Sequence, residues 1–238
     1  MFVYNVTRGE SMIGKLIVIE GTDCSGKDTQ ARLLISNLRS QGINVERFSF
    51  PNYETPTGKI VGGPYLGKEQ ICASWFTEGS VNVDPKVAAL YYAADRKYNI
   101  HKINFLLQNG IHVILDRYVY SNMAHQGCKI NDKEERVAMY NWLEKLEYEL
   151  LELPRPDIAI FLHMPAQQAN LLKLIRTESL DTHEQNNQYL EKAEQAYLEL
   201  KERYQFVQIE CSDAYGLRSK EEIQKEVLTY ILSHLKEQ

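Results

Sequence analysis

The stretch that decides the fold joins a short apolar segment, Leu16-Ile17-Val18-Ile19-Glu20, to the run Gly21-Thr22-Asp23-Cys24-Ser25-Gly26-Lys27-Asp28-Thr29. The apolar segment is rich in β-branched residues, which is typical of a buried strand. The second run has the spacing GxxxxGK. In that pattern the glycines let backbone N–H groups surround an oxyanion, and the lysine reaches the β- and γ-phosphates of a nucleotide. The stretch therefore predicts a phosphate-binding loop between a strand and a helix.

Asp28 departs from this pattern, because the motif has a serine or threonine there whose hydroxyl contacts Mg²⁺. A carboxylate binds Mg²⁺ directly or through water, but it also brings negative charge toward the phosphates. Alternatively, Thr29 serves the metal indirectly. The residues leave these two roles open.

Strand-like and helix-like segments alternate along the chain. Strands are predicted at residues 16–20, 45–50, 111–115, 157–162 and 206–210. Helices are predicted at residues 28–40, 85–108, 133–151, 165–176, 184–203 and 220–235. This alternation favours an α/β fold of the P-loop NTPase type, with a five-stranded parallel sheet and helices on both faces.

The length of 238 residues suits a single domain spanning residues 1–238, in which residues 1–14 are a candidate flexible lead. The net charge of -5 argues against a nucleic-acid polymer as a partner. The chain has neither the roughly 20 apolar residues in a row that a membrane helix needs nor a secretory signal. Its four cysteines are scattered, which argues against a zinc site or a disulfide framework. We therefore expect a cytoplasmic protein with no membrane partner.

Asp116-Arg117-Tyr118 follows the third predicted strand. Ligands of open α/β sheets bind beyond the carboxyl ends of the strands, so this pair should face the same crevice as the phosphate loop. Asp116 is a candidate to hold Mg²⁺ or to orient an acceptor phosphate, and the planar guanidinium of Arg117 suits bidentate phosphate binding. The alternative is an ion pair at the surface.

Two further positions suggest an acceptor site and a lid. Tyr92 and Arg96 lie one turn apart on the long predicted helix, where a ring can stack on a base and a guanidinium can donate to a base carbonyl. The alternative is a packed tyrosine beside a solvated arginine. Arg176 begins a polar segment at about residues 176–184, a candidate lid that closes over the phosphates. Its alternative is a solvated helix terminus.

Together these residues resemble the thymidylate kinases, which belong to the nucleoside-monophosphate kinases. The resemblance runs in order from about Leu16 to the C-terminal helix. Beside the phosphate loop it rests on Phe50-Pro51, Thr55 with Gly58, Ala94-Asp95-Arg96, Asp116-Arg117-Tyr118 with Ser121, and Pro154 to Asp157. It implies transfer of phosphate from ATP, with Mg²⁺, onto dTMP to form dTDP, in an enzyme that is usually a homodimer.

The resemblance also implies roles for single residues. For the donor, Lys27 binds the ATP phosphates, Asp116 lies at the metal, and Arg176 belongs to the lid. Asp28 is a candidate metal ligand from its place in the loop and not from the resemblance. For the acceptor, the implied residues are Asp23 at the sugar and phosphate, Phe50 at the acceptor site, Tyr92 against thymine, Arg96 at a thymine carbonyl, Arg117 at the phosphate, and Ser121 and Gln126 near the base edge.

Four positions depart from the family pattern. Tyr53 stands where an arginine usually holds the acceptor phosphate, and His125 replaces an aromatic residue that helps to reject ribose. Cys24 occupies a place where some members carry an arginine, and Asp28 replaces a hydroxyl residue. The chain is thus interpreted as a divergent, bacterial-type member. The alternatives are a kinase for another pyrimidine monophosphate such as dUMP, or a nucleotide-binding module without catalysis.

Overall fold

The computed structural model describes residues 13–175 and 187–235, and at its centre lies a five-stranded parallel sheet with strand order β2-β3-β1-β4-β5. The strands are β1 Leu16–Gly21, β2 Val45–Ser49, β3 His112–Asp116, β4 Ile158–His163 and β5 Val207–Glu210. The first strand is central, pairing on one side with β3 (Leu16 opposite Val113) and on the other with β4 (Ile17 opposite Ile158). The predicted α/β fold with its five-stranded parallel sheet is confirmed.

Helices connect the strands. They are α1 Lys27–Ser40, α2 Pro56–Ile60, α3 Pro85–Gln108, α4 Val119–Gly127, α5 Lys133–Glu144, α6 Ala166–Ile175, α7 Asn187–Tyr204 and α8 Lys220–Leu235. Shorter elements are the π-helical turns Val61–Tyr65 and Lys145–Leu150, the 3₁₀ turn Ser80–Asn82, and the hairpin β6 Ser212–Asp213 with β7 Gly216–Leu217. Within the described residues, no helix combines the length and the apolar character that crossing a membrane requires.

Both faces of the sheet are covered, because successive residues of β1 point to opposite sides. Leu16 and Val18 belong to a core shared with α3, α4, α5 and α7. Ile17 and Ile19 belong to a second core, shared with α1, α6 and α8. Burial on both faces is the reason that β1 reads as a continuous apolar run rather than as an alternating one.

One helix prediction needs correction, and the helices α2 and α4 were not predicted. The helix predicted for residues 133–151 ends as an α-helix at Glu144 and continues as the π-helical turn Lys145–Leu150. The helix α4 was not predicted, because Ser121, Asn122 and Gln126 are polar yet buried, and they interrupt the apolar periodicity that marks a helix.

The π-helical turn places Glu147 inside the protein, where it forms an ion pair with Arg96 of α3. Their side chains are 0% and 2% exposed, and Arg96 Nη2 donates to Glu147 Oε1 over 2.6 Å. A second bond joins Arg96 Nε to Oε2, and Asn122 Nδ2 also donates to Oε1, over 2.9 Å. Burying two charges is costly unless their hydrogen-bonding groups are satisfied, and this bidentate geometry does so.

We expect Glu147→Gln to lower the free energy of unfolding by about 3 kcal/mol, because Arg96 would stay buried without its counter-charge. The measurement is urea unfolding of the variant beside wild type. Glu149→Gln is the matched control, since Glu149 lies two residues away in the same turn and is exposed. Equal stability losses in the two variants would show that the buried pair has no special role.

Candidate active site

The phosphate-binding loop follows β1 and opens α1, and two of its glycines are required by geometry. A Cβ on Gly21 would lie 2.6 Å from the carbonyl oxygen of Leu162 and 2.6 Å from Ser25 Oγ, closer than real Cβ contacts allow. Gly26 has φ 80° at the N-cap of α1, a left-handed conformation that favours glycine. The backbone can therefore curve tightly at the positive end of a helix, as anion binding requires.

Lys27 lies across this loop. Its Nζ donates to the carbonyl oxygen of Thr22 over 2.5 Å and to Ser25 Oγ over 3.4 Å. The residue is 7% exposed, and burial lowers the pKa of its ammonium group to about 8, even though Asp23 and Asp116 favour the charged form. A cation is thus held at the centre of the loop.

The two candidate metal ligands, Asp28 and Asp116, share one guanidinium. Arg47 Nη2 contacts Asp28 Oδ1 and lies 3.1 Å from Asp116 Oδ2. Arg32 Nε also donates to Asp28, over 2.7 Å. The extra negative charge that Asp28 brings is therefore balanced by two arginines. Thr29 is exposed on the first turn of α1.

These oxygen donors fit Mg²⁺. Mg²⁺ is usually held by one or two carboxylates together with water and substrate phosphates. Asp28 and Asp116 place one carboxylate oxygen each against the same nitrogen atom of Arg47, beside the phosphate loop. Within the described ranges, no group of three or more histidine, cysteine, aspartate or glutamate side chains is arranged to hold a metal by itself.

Arg117 joins the end of β3 to the phosphate loop. Its backbone is left-handed, with φ 67°, a conformation that costs energy for a residue with a side chain. Its guanidinium contacts Asp23 and also donates to the carbonyl oxygen of Gly21 over 3.3 Å and to Ser121 Oγ over 3.2 Å. Burial alone would lower the pKa of Arg117, but the nearby carboxylates, Asp23 first, raise it. The structure thus places the phosphate loop and the Asp116-Arg117 pair next to each other, as the sequence predicts.

Glu20, at the end of β1, is a fully buried carboxylate that the sequence analysis did not single out. It accepts hydrogen bonds from Tyr118 N (2.9 Å), from Ser121 Oγ (2.5 Å) and from Tyr197 OH (3.2 Å). Burial raises its pKa. These bonds connect β1 to Ser121 of α4 and to Tyr197 of α7, the same two hydroxyl groups that Arg117 contacts. A charged residue at the end of an otherwise apolar strand was the available signal.

A cavity extends from the loop toward α3. It is lined by Asp23, Phe50, Pro51, Tyr53, Leu66, Lys68, Tyr92, Arg96, Arg117, Tyr118, Ser121, Asn122 and His125. This set contains six of the seven predicted acceptor residues. The seventh, Gln126, is fully buried, and its amide atoms have no hydrogen-bond partner within the described residues.

The structure does not fit a solvated arginine at position 96 or a surface ion pair at Asp116 and Arg117. Arg96 is 2% exposed and is held by Glu147, so it is not a solvated arginine on a helix surface. Asp116 is 7% exposed, so the Asp116-Arg117 pair is not a surface ion pair. Tyr92 packs edge-on against Tyr65, with ring centres 5.7 Å apart, and still lines the cavity.

Asp95, the neighbour of Arg96, anchors the loop that follows β2. Its carboxylate accepts from Asn52 N over 2.8 Å and from Thr57 Oγ1 over 2.8 Å. A Cβ on Gly58 would lie 1.8 Å from the carbonyl oxygen of Asn52, so glycine is required there. The Thr55 and Gly58 part of the motif therefore shapes the wall of the cavity that carries Tyr53.

His125 is held between two parts of the site. Its Nε2 lies 3.1 Å from Arg117 Nη1, and its Nδ1 lies 2.8 Å from Tyr189 OH. The Tyr189 ring stacks on the imidazole, with ring centres 5.8 Å apart. Tyr189 comes from α7, so the cavity wall depends on a helix more than 60 residues away in the chain.

Several contributors were missed by sequence reasoning. Arg47 had a signal, a charged residue within a predicted strand, whereas Lys68, Glu147 and Tyr189 had none, since no spacing connects them to the motifs. The predicted Arg176, the predicted lid at residues 176–184, and residues 1–12 of the predicted lead lie outside the described residues.

Comparison with known proteins agrees with this geometry. The family model "Thymidylate kinase" matches residues 19–226. The thymidylate kinase of Schizosaccharomyces pombe is 30% identical over 202 residues, covering 84% of this chain and 86% of the relative. A probable thymidylate kinase of Thermococcus onnurineus is 32% identical over 219 residues, covering 90% of this chain and 96% of the relative.

Among solved structures, the thymidylate kinase of Candida albicans superposes with a TM-score of 0.71 at 25% identity, covering 93% of this chain and 92% of that one. The phosphate loop and the residues that line the cavity lie within residues 19–226, the range that the family model matches. On the family match and these relatives, the chain belongs to the thymidylate kinase family.

Proposed function

We propose that this chain transfers the γ-phosphate of ATP to dTMP, with the acceptor in the cavity between the phosphate loop and α3. Membership of the thymidylate kinase family assigns the reaction. One observation carries the proposal for the site: a single cavity joins Asp23 and Arg117, beside the phosphate loop, to Tyr92 and Arg96 on α3.

On the acceptor side, Arg117 binds the phosphate and Asp23 lies at the sugar and the phosphate. Tyr92 packs against the base, and Arg96, whose guanidinium is oriented by Glu147, donates to a base carbonyl. Phe50 and Ser121 complete the wall. Gln126 is buried and does not line the cavity, so its role near the base edge stays a prediction. Because phosphoryl transfer demands alignment and charge stabilisation rather than covalent chemistry, a fixed guanidinium at each end of the acceptor suits the reaction.

On the donor side, the backbone of residues 21–29 surrounds the ATP phosphates and Lys27 neutralises their charge. Asp28 and Asp116 are the residues that would hold Mg²⁺, which when bound supplies charge neutralisation at the phosphates. Arg47 forms ion pairs with both carboxylates and so holds them in place. Arg176, in the lid predicted at residues 176–184, stays a predicted catalytic residue.

The first experiment measures ADP release from MgATP with dTMP, dUMP, UMP or dCMP as acceptor. We expect strong stimulation by dTMP. Lys27→Ala should reduce the rate by at least about a hundredfold, because it removes a cation from the transferring phosphate. Lys59→Ala, which removes an exposed lysine on α2, is the control.

Stimulation by another monophosphate instead of dTMP would support the same phosphoryl transfer with a different acceptor. A kinase for another pyrimidine monophosphate is the second candidate function. It is favoured by Tyr53 and His125, which depart from the family pattern and both line the cavity. ATP binding without stimulation by any acceptor would contradict the proposal and leave a nucleotide-binding module.

The metal site is tested by Asp116→Asn. We expect the Mg²⁺ concentration for half-maximal ADP release to rise about tenfold or more, because the variant loses an anionic oxygen ligand. Mg²⁺ should also add less to the affinity for ATP in calorimetry. Asp213→Asn, at an exposed position in the β6–β7 hairpin, is the control. An unchanged Mg²⁺ requirement in Asp116→Asn would contradict the assignment.

We further propose a homodimer that forms through α3. Val87, Leu90, Tyr98 and Phe105 are 42%, 49%, 52% and 64% exposed, and their spacing places them on one side of the helix. An exposed apolar stripe of this kind is typical of an interaction surface.

Phe105→Glu should convert the dimer to a monomer in analytical ultracentrifugation, because it places a charge in the apolar stripe. Tyr215→Glu is the control, since Tyr215 is 99% exposed and lies in the turn of the β6–β7 hairpin. A wild-type protein that sediments as a monomer would contradict the proposal.

We also propose that the whole chain works as one domain in the cytoplasm, where its four cysteines remain reduced. Cell fractionation checks the compartment. The relatives named above come from Schizosaccharomyces, Thermococcus and Candida, so a divergent bacterial type stays a prediction that rests on Asp28 and Tyr53.

A further inference from the structure

Lys68 enters the acceptor cavity from a segment that carries no recognised motif. Its ammonium nitrogen lies 5.2 Å from the centre of the Tyr53 ring, within the range of a cation–π contact. Both side chains line the cavity together with Asp23 and Arg117. The ring of Tyr53 thus lies beneath a cation at the position where the family resemblance places an arginine.

Gly62 holds the two residues together. A Cβ on Gly62 would lie 2.7 Å from Tyr53 Cδ1, so the ring packs directly on the glycine backbone. The carbonyl oxygen of the same glycine accepts a hydrogen bond from Lys68 N over 2.8 Å. The backbone of Lys68 is therefore held beside the ring of Tyr53.

The loop that carries Tyr53 begins beside the end of β3. Ser49, the last residue of β2, is paired with Asp116, and Phe50 N donates to the carbonyl oxygen of Asp116 over 3.1 Å. Arg117 follows immediately. Tyr53 and Lys68 thus lie on the part of the cavity wall that begins beside Arg117, the arginine proposed to bind the phosphate.

The charges of the cavity make a third cation useful. The guanidinium groups of Arg96 and Arg117 both line the cavity. A nucleoside monophosphate carries a charge of about -1.5 to -2 at pH 7. Among the described residues, Lys68 adds a third cationic side chain to the lining of the cavity, and an ammonium group is a good point-charge partner for phosphate.

We propose that Lys68 binds the phosphate of the acceptor nucleotide and that Tyr53 is a positioning residue that holds its ammonium group. In the family pattern, an arginine at the position of Tyr53 supplies this positive charge. Here Lys68 supplies it, from another segment of the same cavity wall. This inference rests on the proposed function, because it requires a nucleoside monophosphate in the cavity.

The test compares two ligands that differ only by the phosphate. Calorimetry gives the dissociation constants of dTMP and of thymidine for wild type and for Lys68→Met. We expect Lys68→Met to weaken dTMP binding about tenfold or more, which is the scale of one charge-assisted hydrogen bond, and to leave thymidine binding unchanged. Lys68→Arg, which keeps the charge, should retain most of the dTMP affinity.

Lys59→Met is the matched control, because it removes an exposed lysine on α2 without reaching the cavity. Adding Tyr53→Arg to Lys68→Met should restore dTMP affinity, since it returns a cation to the same wall. Equal weakening of dTMP and thymidine in Lys68→Met, or no weakening of dTMP, would overturn the role of Lys68. Wild-type protein that binds no dTMP would contradict the proposed function itself, and the pair of monophosphate and nucleoside selected by the acceptor panel would then test Lys68.

Discussion

The contact between Arg117 and Asp23 is the interaction on which the site depends. It connects the end of β3 to the phosphate loop at the end of β1, so the phosphate loop and the cavity share one wall. Arg117 adopts a left-handed backbone to make this contact. Such strain persists only where the surroundings hold it, and here the carbonyl of Gly21, the hydroxyl of Ser121 and the ring of His125 all contact the same guanidinium.

Two arginines of the site that are largely buried are each paired with a carboxylate of low exposure. Arg96 has Glu147, and Arg47 has Asp116. Each pair offsets a desolvation cost that either residue alone would incur in full. The pairs also fix the directions of the guanidinium groups, and direction is what phosphate and base recognition require. A charged cavity can therefore exist in a protein whose net charge is -5.

The departures from the family pattern have partners in the structure. Asp28 adds a negative charge beside the phosphates, and Arg32 and Arg47 lie against it. Tyr53 lacks the charge of an arginine, and Lys68 lies over its ring. His125 is held by Arg117 and Tyr189. Arg32 shares α1 with Asp28, whereas Arg47, Lys68 and Tyr189 come from other parts of the fold, because contacts in a folded chain do not follow sequence order.

The sequence by itself determined the sheet and the phosphate loop, and it singled out six residues that the fold brings together at one cavity, whose roles toward an acceptor stay predictions. Strand and helix periodicities are local, and the glycines at 21 and 26 meet backbone requirements that hold wherever such a loop occurs. What only the tertiary structure decided were the partners: Glu147 for Arg96, Glu20 beneath Arg117, Arg47 between the two aspartates, and Lys68 over Tyr53. It also showed the helix α4, whose buried polar residues hide its period. The physical reason is that a residue's need for a counter-charge can be read from its type, whereas the identity of that counter-charge is set by which elements the fold brings together.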